Sequence, residues 1–182
     1  MKVCLDAGHG GKDSGAVGQR PFTRQEKDIN LKIALLLEEE LLAKGCRVLM
    51  TRRTDRTLSL LSRAEFANRY RADLFVSIHA NASENEAAEG MEVFTFPGSV
   101  KGQQIAQAVL RSMLATCPGH KDRGVKEANF AVLRLTAMPA VLVECEFLTN
   151  PKQLSFLMDP ANQRAIATAI GGGIKSEKYP SA

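Results

Sequence analysis

Residues 3–18 read VCLDAGHGGKDSGAVG, and this stretch decides how the rest of the chain is interpreted. The apolar run at 3–7 has the length and composition of a strand. Five glycines between Gly8 and Gly18 then predict a loop, because glycine tolerates backbone angles that other residues avoid. A strand that ends in a polar, glycine-rich loop is typical of the carboxyl edge of an α/β sheet, where reactive groups gather.

Apolar strand patterns and helical patterns alternate outward from this stretch. The segment 24–44 is predicted to be a helix, since its apolar positions recur at helical spacing and Gly45 follows as a stop. Such alternation predicts an α/β fold: a single domain with a mostly parallel sheet flanked by helices on both faces. The predicted strands are 3–7, 47–51, 73–79, 90–96 and 140–147, and the predicted helices are 24–44, 59–70, 101–116 and two that start near 151 and 161.

The composition fits one compact domain. The 182 residues are 45% hydrophobic and 24% charged, which is enough apolar material for a core and unlike a disordered chain. No apolar run approaches the ~20 residues of a membrane span, and no signal peptide precedes the first strand. We therefore expect no membrane insertion. The twelve residues that begin at Gly171 are predicted to be a fraying end or a linker stub.

Charge and cysteine content exclude further classes of protein. A net charge of +4 is far below the footprint of a nucleic-acid-binding domain, so no nucleic-acid partner is expected. The cysteines show no CxxC spacing, and most lie in apolar runs where a thiol packs as a small hydrophobic group. Neither a disulfide framework nor a thiolate zinc site is predicted. The cysteines are Cys4, Cys46, Cys117 and Cys145.

Three residues that could carry chemistry follow or end predicted strands. His9, His79 and Glu144 are expected to meet at one edge of the sheet. Two imidazoles and one carboxylate form the ligand set of catalytic zinc, which leaves a coordination position open for water. Glu26 is the candidate third ligand.

Each of these residues also has an ordinary structural interpretation. His9 could be a solvated loop residue, and His79 a core histidine bonded to backbone. Glu26 could complete a capping box that starts at Thr23, with its carboxylate bonding back to the helix start. His120, in a Pro-Gly-His-Lys segment, is interpreted as a surface loop residue.

Glu144 is harder to explain as structural, because a carboxylate inside an apolar strand is costly unless it is paired or functional. Strand alternation places Glu146 on the same face, so the two acids could share a site and raise each other's pKa. Arg63 or Arg134 could neutralise one of them. The sequence leaves this pairing open.

The ordered set of motifs resembles the zinc-dependent N-acetylmuramoyl-L-alanine amidases of the Amidase_3 family, over nearly the whole chain. The resemblance is based on the order of many short motifs more than on any single motif. The motifs are LDAGHGG at 5–11 with Asp13 and Gly15, EKDINL at 26–31, TR at 51–52 with Asp55, Leu60 and Arg63, AN at 67–68, SIHAN at 77–81, GME at 90–92, RGV at 123–125, VLVE at 141–144 and FLTN at 147–150.

This resemblance implies one zinc ion per chain, held by His9, Glu26 and His79, with Glu144 as the catalytic acid and base. It implies a twisted mixed sheet, and as substrate the peptidoglycan amide between the lactyl group of N-acetylmuramic acid and L-alanine of the stem peptide. The catalytic domain is predicted to span 1–175, with 176–182 as a tail or linker stub.

Two positions depart from the family pattern. Ala7 stands where a proline is frequent, and Glu146 where the family usually has glycine. Asp6 or Asp13 could orient His9, in the way that carboxylates often support zinc-binding histidines, or could simply bond local backbone amides. The residues assigned to substrate binding or ligand support are Asp6, Asp13, Arg63, Asn81 and Glu146.

Two rival functions remain open at this point. A wall-binding module would keep the fold without the chemistry, and a zinc peptidase would cut within the stem peptide at the same kind of metal site. On any of these interpretations we expect the protein to act on the bacterial cell wall, and to do so as a monomer, although the sequence does not fix the oligomeric state. Without a signal peptide, we expect release by lysis, or that the chain is a domain of a longer secreted protein.

Overall fold

The structure of the protein, a computed structural model, describes residues 1–176. The predicted tail therefore lies outside the described residues, apart from Ser176. The strands are β1 (Lys2–Ala7), β2 (Val17–Gly18), β3 (Arg24–Gln25), β4 (Arg47–Met50), β5 (Leu74–Asn81), β6 (Met91–Thr95), β7 (Asp122–Glu127) and β8 (Ala140–Phe147). The helices are α1 (Glu26–Ala43), α2 (Leu60–Arg69), α3 (Val100–Thr116), α4 (Ala131–Arg134), α5 (Pro151–Met158) and α6 (Pro160–Ser176).

A mixed six-stranded sheet forms the centre of the fold. Its order is β4-β1-β5-β8-β6-β7, and β2 and β3 form a separate small antiparallel pair. The first four strands of this order run parallel to one another, while β6 runs antiparallel to β8 and β7 runs parallel to β6. The predicted single α/β domain with a mostly parallel sheet is confirmed.

Helices cover both faces of the sheet, as predicted. One face packs against α1 and α3, α6 packs on these two helices, and together they form the larger hydrophobic core. The other face packs against α2 and α4 in a smaller cluster around Phe75 and Val132. Burial of this apolar surface supplies the main favourable free energy of folding. The apolar positions that predicted α1 are all buried: Ile29, Ile33, Leu36, Leu37 and Leu41.

The prediction of a fraying end at Gly171 is wrong for residues up to Ser176. These residues continue α6, which packs against α3. A Cβ at Gly173 would lie 2.5 Å from the Cα of Val109, so glycine here permits close helix packing. Glycine content suggested flexibility, whereas the structure uses it for contact between two helices.

The edge strand β7 was not predicted. Its sequence, DRGVKE, has no apolar alternation, and its residues are partly or fully exposed. The capping box that was considered as the ordinary alternative for Glu26 is absent. The N-cap of α1 is Gln25, with no side-chain cap bond, and Glu26 is the first helical residue. Its carboxylate is therefore free to point into the loop that follows β1.

We predict that Gly173→Ala destabilises the protein by about 1–3 kcal/mol, because the added methyl group overlaps the α3 backbone. Gly171→Ala is the matched control, since its new Cβ would meet ordinary contacts no closer than 3.5 Å. That control should be neutral or more stable by ~1 kcal/mol through helix propensity. Urea unfolding of both variants measures the difference, and equal stabilities would contradict the packing argument.

Candidate metal centre

The Glu26 carboxylate lies between two imidazole rings. Its Oε2 is 3.1 Å from His9 Nε2, and its Oε1 is 2.9 Å from His79 Nδ1. One potential ligand atom from each of the three residues lies within 4.8 Å of the others. The structure therefore brings together the three residues that the sequence nominated as metal ligands.

Each of the three comes from a different element. His9 follows β1 with a positive φ of 61°, a conformation that is unusual for any residue other than glycine. His79 lies near the end of β5, and Glu26 begins α1. A Cβ at Gly8 would lie 2.3 Å from the His79 ring, so only glycine lets this ring lie against the loop.

Asp13 contacts the nitrogen of the His9 ring that does not face Glu26. Its Oδ2 lies 2.9 Å from His9 Nδ1, which leaves Nε2 to face Glu26. Asp6, the other candidate for this support, is buried elsewhere and accepts hydrogen bonds from the hydroxyls of Thr51 and Ser77. Of the two aspartates, the structure thus places only Asp13 against the imidazole.

Two buried arginines hold the backbone of the site loop. Arg63 forms a buried ion pair with Asp6 at 2.8 Å and donates to the carbonyls of Ala7 and His9. Arg52 donates to the carbonyls of Ala7 and Gly8. The expectation that Arg63 could neutralise Glu144 or Glu146 is wrong, because its carboxylate partner is Asp6. Sequence reasoning assigned no role to Arg52.

Glu144 lies beside the imidazole-carboxylate cluster. It pairs with His79 in the register of β5 and β8 and lines a cleft of about 250 Å³ that His9 also lines. Its Oε2 is buried and has no hydrogen-bond partner among residues 1–176. A buried carboxylate oxygen without a partner is costly, and it points to a ligand or water that would complete the site.

The pKa values of these groups are shifted in different directions. Burial raises the pKa of Glu144 to about 7, against the lowering effect of His79. Burial would also raise the pKa of Glu26, but hydrogen bonds from His79 and His9 lower it well below its usual range. The hydrogen bond to Glu26 raises the pKa of His9 to about 9. One carboxylate is thus held ionised while the other is poised near neutrality.

Glu146 does not share a site with Glu144, contrary to the alternation argument. Between the pairs His79–Glu144 and Asn81–Phe147, β8 contains one more residue than β5, and this irregularity breaks the alternation. Glu146 is fully buried, and its Oε2 accepts the backbone N–H of Gly90.

The partner of the buried Glu146 is a histidine, whose side chain is 12% exposed. His120 Nδ1 lies 2.8 Å from Glu146 Oε1, and its ring packs on Phe156. His120 lies in a loop, as expected, but its imidazole is largely enclosed and contacts a buried carboxylate instead of being fully solvated. Its sequence segment gave no apolar pattern from which this contact could be predicted.

The remaining candidates, Asn81 and Arg134, hydrogen-bond residues outside the cluster of His9, Glu26 and His79. Asn81 donates to the buried carboxylate of Glu92 at 2.6 Å. Arg134, considered as a partner for the acids, instead bonds Asn129. The four cysteines are buried free thiols, as expected.

The fold and this cluster define an α/β enzyme domain whose carboxyl edge presents the ligand set of a catalytic metal site. A comparison with known families identifies it further. The Amidase_3 sequence profile, described as N-acetylmuramoyl-L-alanine amidase, matches residues 3–176. The chain belongs to this family.

Relatives and solved structures agree with this assignment. The N-acetylmuramoyl-L-alanine amidase from Clostridium difficile 630 is 38% identical with a TM-score of 0.93, over 96% of this chain and 95% of that one. The CwlV catalytic domain from Bacillus (Paenibacillus) polymyxa var. colistinus is 39% identical with a TM-score of 0.89, over 96% of both chains. LytC of Bacillus subtilis (strain 168) is 37% identical over 176 residues, which are 96% of this chain but 35% of LytC.

We predict that Glu144→Gln makes the metal-free protein more stable at about pH 8, by about 2 kcal/mol. The raised pKa means that folding favours the protonated carboxyl, so stability is lost as pH rises from 4.5 through about 7. The gain should therefore shrink towards about pH 4.5. Unfolding curves at both pH values measure it, with Glu65→Gln, exposed on α2, as the control. A constant difference at both pH values would contradict the burial argument.

Proposed function

We propose that this chain is a zinc-dependent amidase that cleaves peptidoglycan between the lactyl group of N-acetylmuramic acid and L-alanine of the stem peptide. The observation that carries the proposal is the convergence of His9, Glu26 and His79 beside the unpartnered oxygen of Glu144. Membership of the amidase family supports the proposed amide cleavage, and the side chains of the cluster support the proposed binding of zinc.

The donor set fits zinc in its chemistry. Zinc binds imidazole nitrogen and carboxylate oxygen, and catalytic sites leave one position for water. His9 would bind through Nε2 because Asp13 occupies its Nδ1, and His79 presents Nδ1 towards the same centre. Glu26 offers a carboxylate that is ionised, as a metal ligand must be. One zinc ion per chain is proposed, because this is the one such cluster found within residues 1–176.

Glu144 would transfer a proton from the attacking water to the departing amine. A bound zinc ion would polarise the amide carbonyl and lower the pKa of water. Glu144 accepts a proton at its free Oε2 from the attacking water, whose oxygen bonds to the carbonyl carbon. As the carbon–nitrogen bond breaks, Glu144 returns the proton to the departing amine of L-alanine, which is a poor leaving group without it.

The cleft also has an apolar wall that would exclude water and receive small apolar groups. Leu60 and Phe130 lie at its rim, partly exposed, and Val132 and Leu142 lie deeper. The methyl groups on each side of the scissile amide, one on the lactyl group and one on alanine, suit such a wall.

The cell-wall setting is part of the same proposal. The chain spans only about a third of the length of LytC, so the activity of a whole protein of that kind is inferred here from one domain. A sporulation-specific N-acetylmuramoyl-L-alanine amidase of Bacillus subtilis (strain 168) is 34% identical over 177 residues. Among residues 1–176, no helix is long and apolar enough to cross a bilayer. We propose that the domain acts on the wall as a monomer.

Digestion of purified peptidoglycan tests the reaction. Wild-type protein should release free stem peptides that begin with L-alanine, and Glu144→Gln should lower that rate at least ~100-fold because the glutamine carboxamide cannot accept the proton. Mass spectrometry identifies the ends. Shortened peptides with intact sugar–peptide junctions would instead indicate the peptidase rival, and wall binding without cleavage would indicate the binding module.

Zinc content tests the metal site. We expect about one zinc ion per wild-type chain, and loss of zinc in His79→Ala, since the remaining ligands no longer close the site. His120→Gln is the matched control and should keep its zinc, because His120 contacts Glu146 and not the cluster. Affinity should increase from about pH 6 to about pH 8, since imidazoles must lose protons to bind. Elemental analysis and titration measure both, and a zinc-free wild type at neutral pH would refute the site.

A further inference from the structure

A second group of charged residues continues the site along the edge of the sheet, beyond Glu144. Glu92 lies directly opposite Glu144 in the antiparallel pairing of β6 and β8, so both side chains share one face. Glu92 is buried and accepts a hydrogen bond from Arg123 Nε at 3.0 Å. Lys126 forms a very short contact with the same carboxylate oxygen. These cations come from β7, the strand that the sequence did not predict.

The group formed by Glu92, Arg123 and Lys126 has a positive net charge. One carboxylate, Glu92, lies between two cations, and both cations reach solvent: the side chain of Arg123 is 29% exposed and that of Lys126 is 40% exposed. Arg123 directs Nε to Glu92 and Nη1 to the carbonyl of Glu89, which leaves Nη2 as a donor within residues 1–176. Lys126 keeps further ammonium donors. The buried acid thus holds two cations in place without consuming all their donors.

The sheet order fixes how far this group lies from the reacting bond. Adjacent strands are about 4.8 Å apart, and β7 is two strands from β8, so the cations lie roughly 10 Å from the strand of Glu144. An extended peptide spans about 3.5 Å per residue. A peptide that leaves the scissile amide and runs across β6 would therefore bring its second or third residue to Arg123 and Lys126.

We propose that Arg123 and Lys126, held by Glu92, form a subsite for a carboxylate on the second or third residue of the stem peptide. This inference rests on the proposed amidase function and adds a specificity to it. An ionised group at that position binds the two cations, whereas a carboxamide at the same position does not. The subsite makes the enzyme select acidic stem peptides over amidated ones.

Synthetic muramoyl-L-alanyl tripeptides test the subsite. Four substrates are needed, with glutamate or glutamine at the second residue and glutamate or glutamine at the third. For wild type, kcat/KM should favour the acid over the amide by about tenfold in at least one pair. Lys126→Met should reduce that preference to about threefold, and Lys126→Glu should reverse it. Lys126 is exposed enough for these variants to fold.

Arg123→Met should also reduce the preference, and Lys175→Met is the matched control for loss of a positive charge. Lys175 is exposed in the last turn of α6 and is outside the residues that line the cleft. This control should keep the wild-type ratio of acid to amide. Circular dichroism of each variant confirms folding before kinetics.

The outcomes separate the two proposals. Equal kcat/KM for acid and amide in wild type would overturn the subsite while leaving the amidase intact. A preference that survives unchanged in Lys126→Glu, with both substrates slowed alike, would also overturn it and would mean that the cations act only by neutralising Glu92. No cleavage of any muramoyl substrate by zinc-loaded wild type would overturn the amidase proposal, and the subsite with it.

Discussion

The hydrogen bonds from Arg52 and Arg63 to the loop after β1 are the interaction on which the site depends. At the end of β1 and in this loop, the carbonyls of Ala7, Gly8 and His9 accept hydrogen bonds from these arginine side chains, and buried carbonyls need such partners. Arg63 bonds the carbonyls on both sides of Gly8, and Arg52 bonds Gly8 itself. Arg52 also bonds the carbonyl of Lys27, in the first turn of α1. The guanidinium of Arg52 therefore connects the loop of His9 to the helix of Glu26.

Burying two guanidinium groups is costly unless charge and hydrogen bonds compensate. Asp6 supplies the charge for Arg63, and the hydroxyls of Thr51 and Ser77 complete the bonds to Asp6. Asp6 thus affects His9 only through backbone that Arg63 holds, whereas Asp13 contacts the imidazole itself. His9 is therefore positioned in two ways: the buried Arg63 holds its backbone, and the exposed Asp13 holds its imidazole ring.

Charge is distributed along the edge of the sheet in strand order. Glu26 is ionised between two imidazoles, Glu144 is poised near neutrality, and Glu92 lies beyond it with its two cations. Glu92 also raises the pKa of Glu144, after the larger effects of burial, His79 and Glu26. The surroundings of Glu26 and Glu144 thus keep one carboxylate ionised and give its neighbour a pKa near neutrality. Acid–base chemistry at neutral pH requires such a difference.

The sequence by itself determined the α/β fold and the meeting of His9, His79 and Glu144, because parallel strands end at one edge and each residue follows or ends an apolar run. Residue spacing alone left Glu26 open between a helix cap and a metal ligand, the family resemblance implied the ligand, and the structure places its carboxylate between the two imidazoles. Only the tertiary structure decided the rest, since bulges, buried ion pairs and close packing depend on residues far apart in the chain. These features are the separation of Glu144 from Glu146, the contact of His120 with the buried Glu146, the hydrogen bonds of Arg52, the edge strand β7 and the helical packing of Gly173.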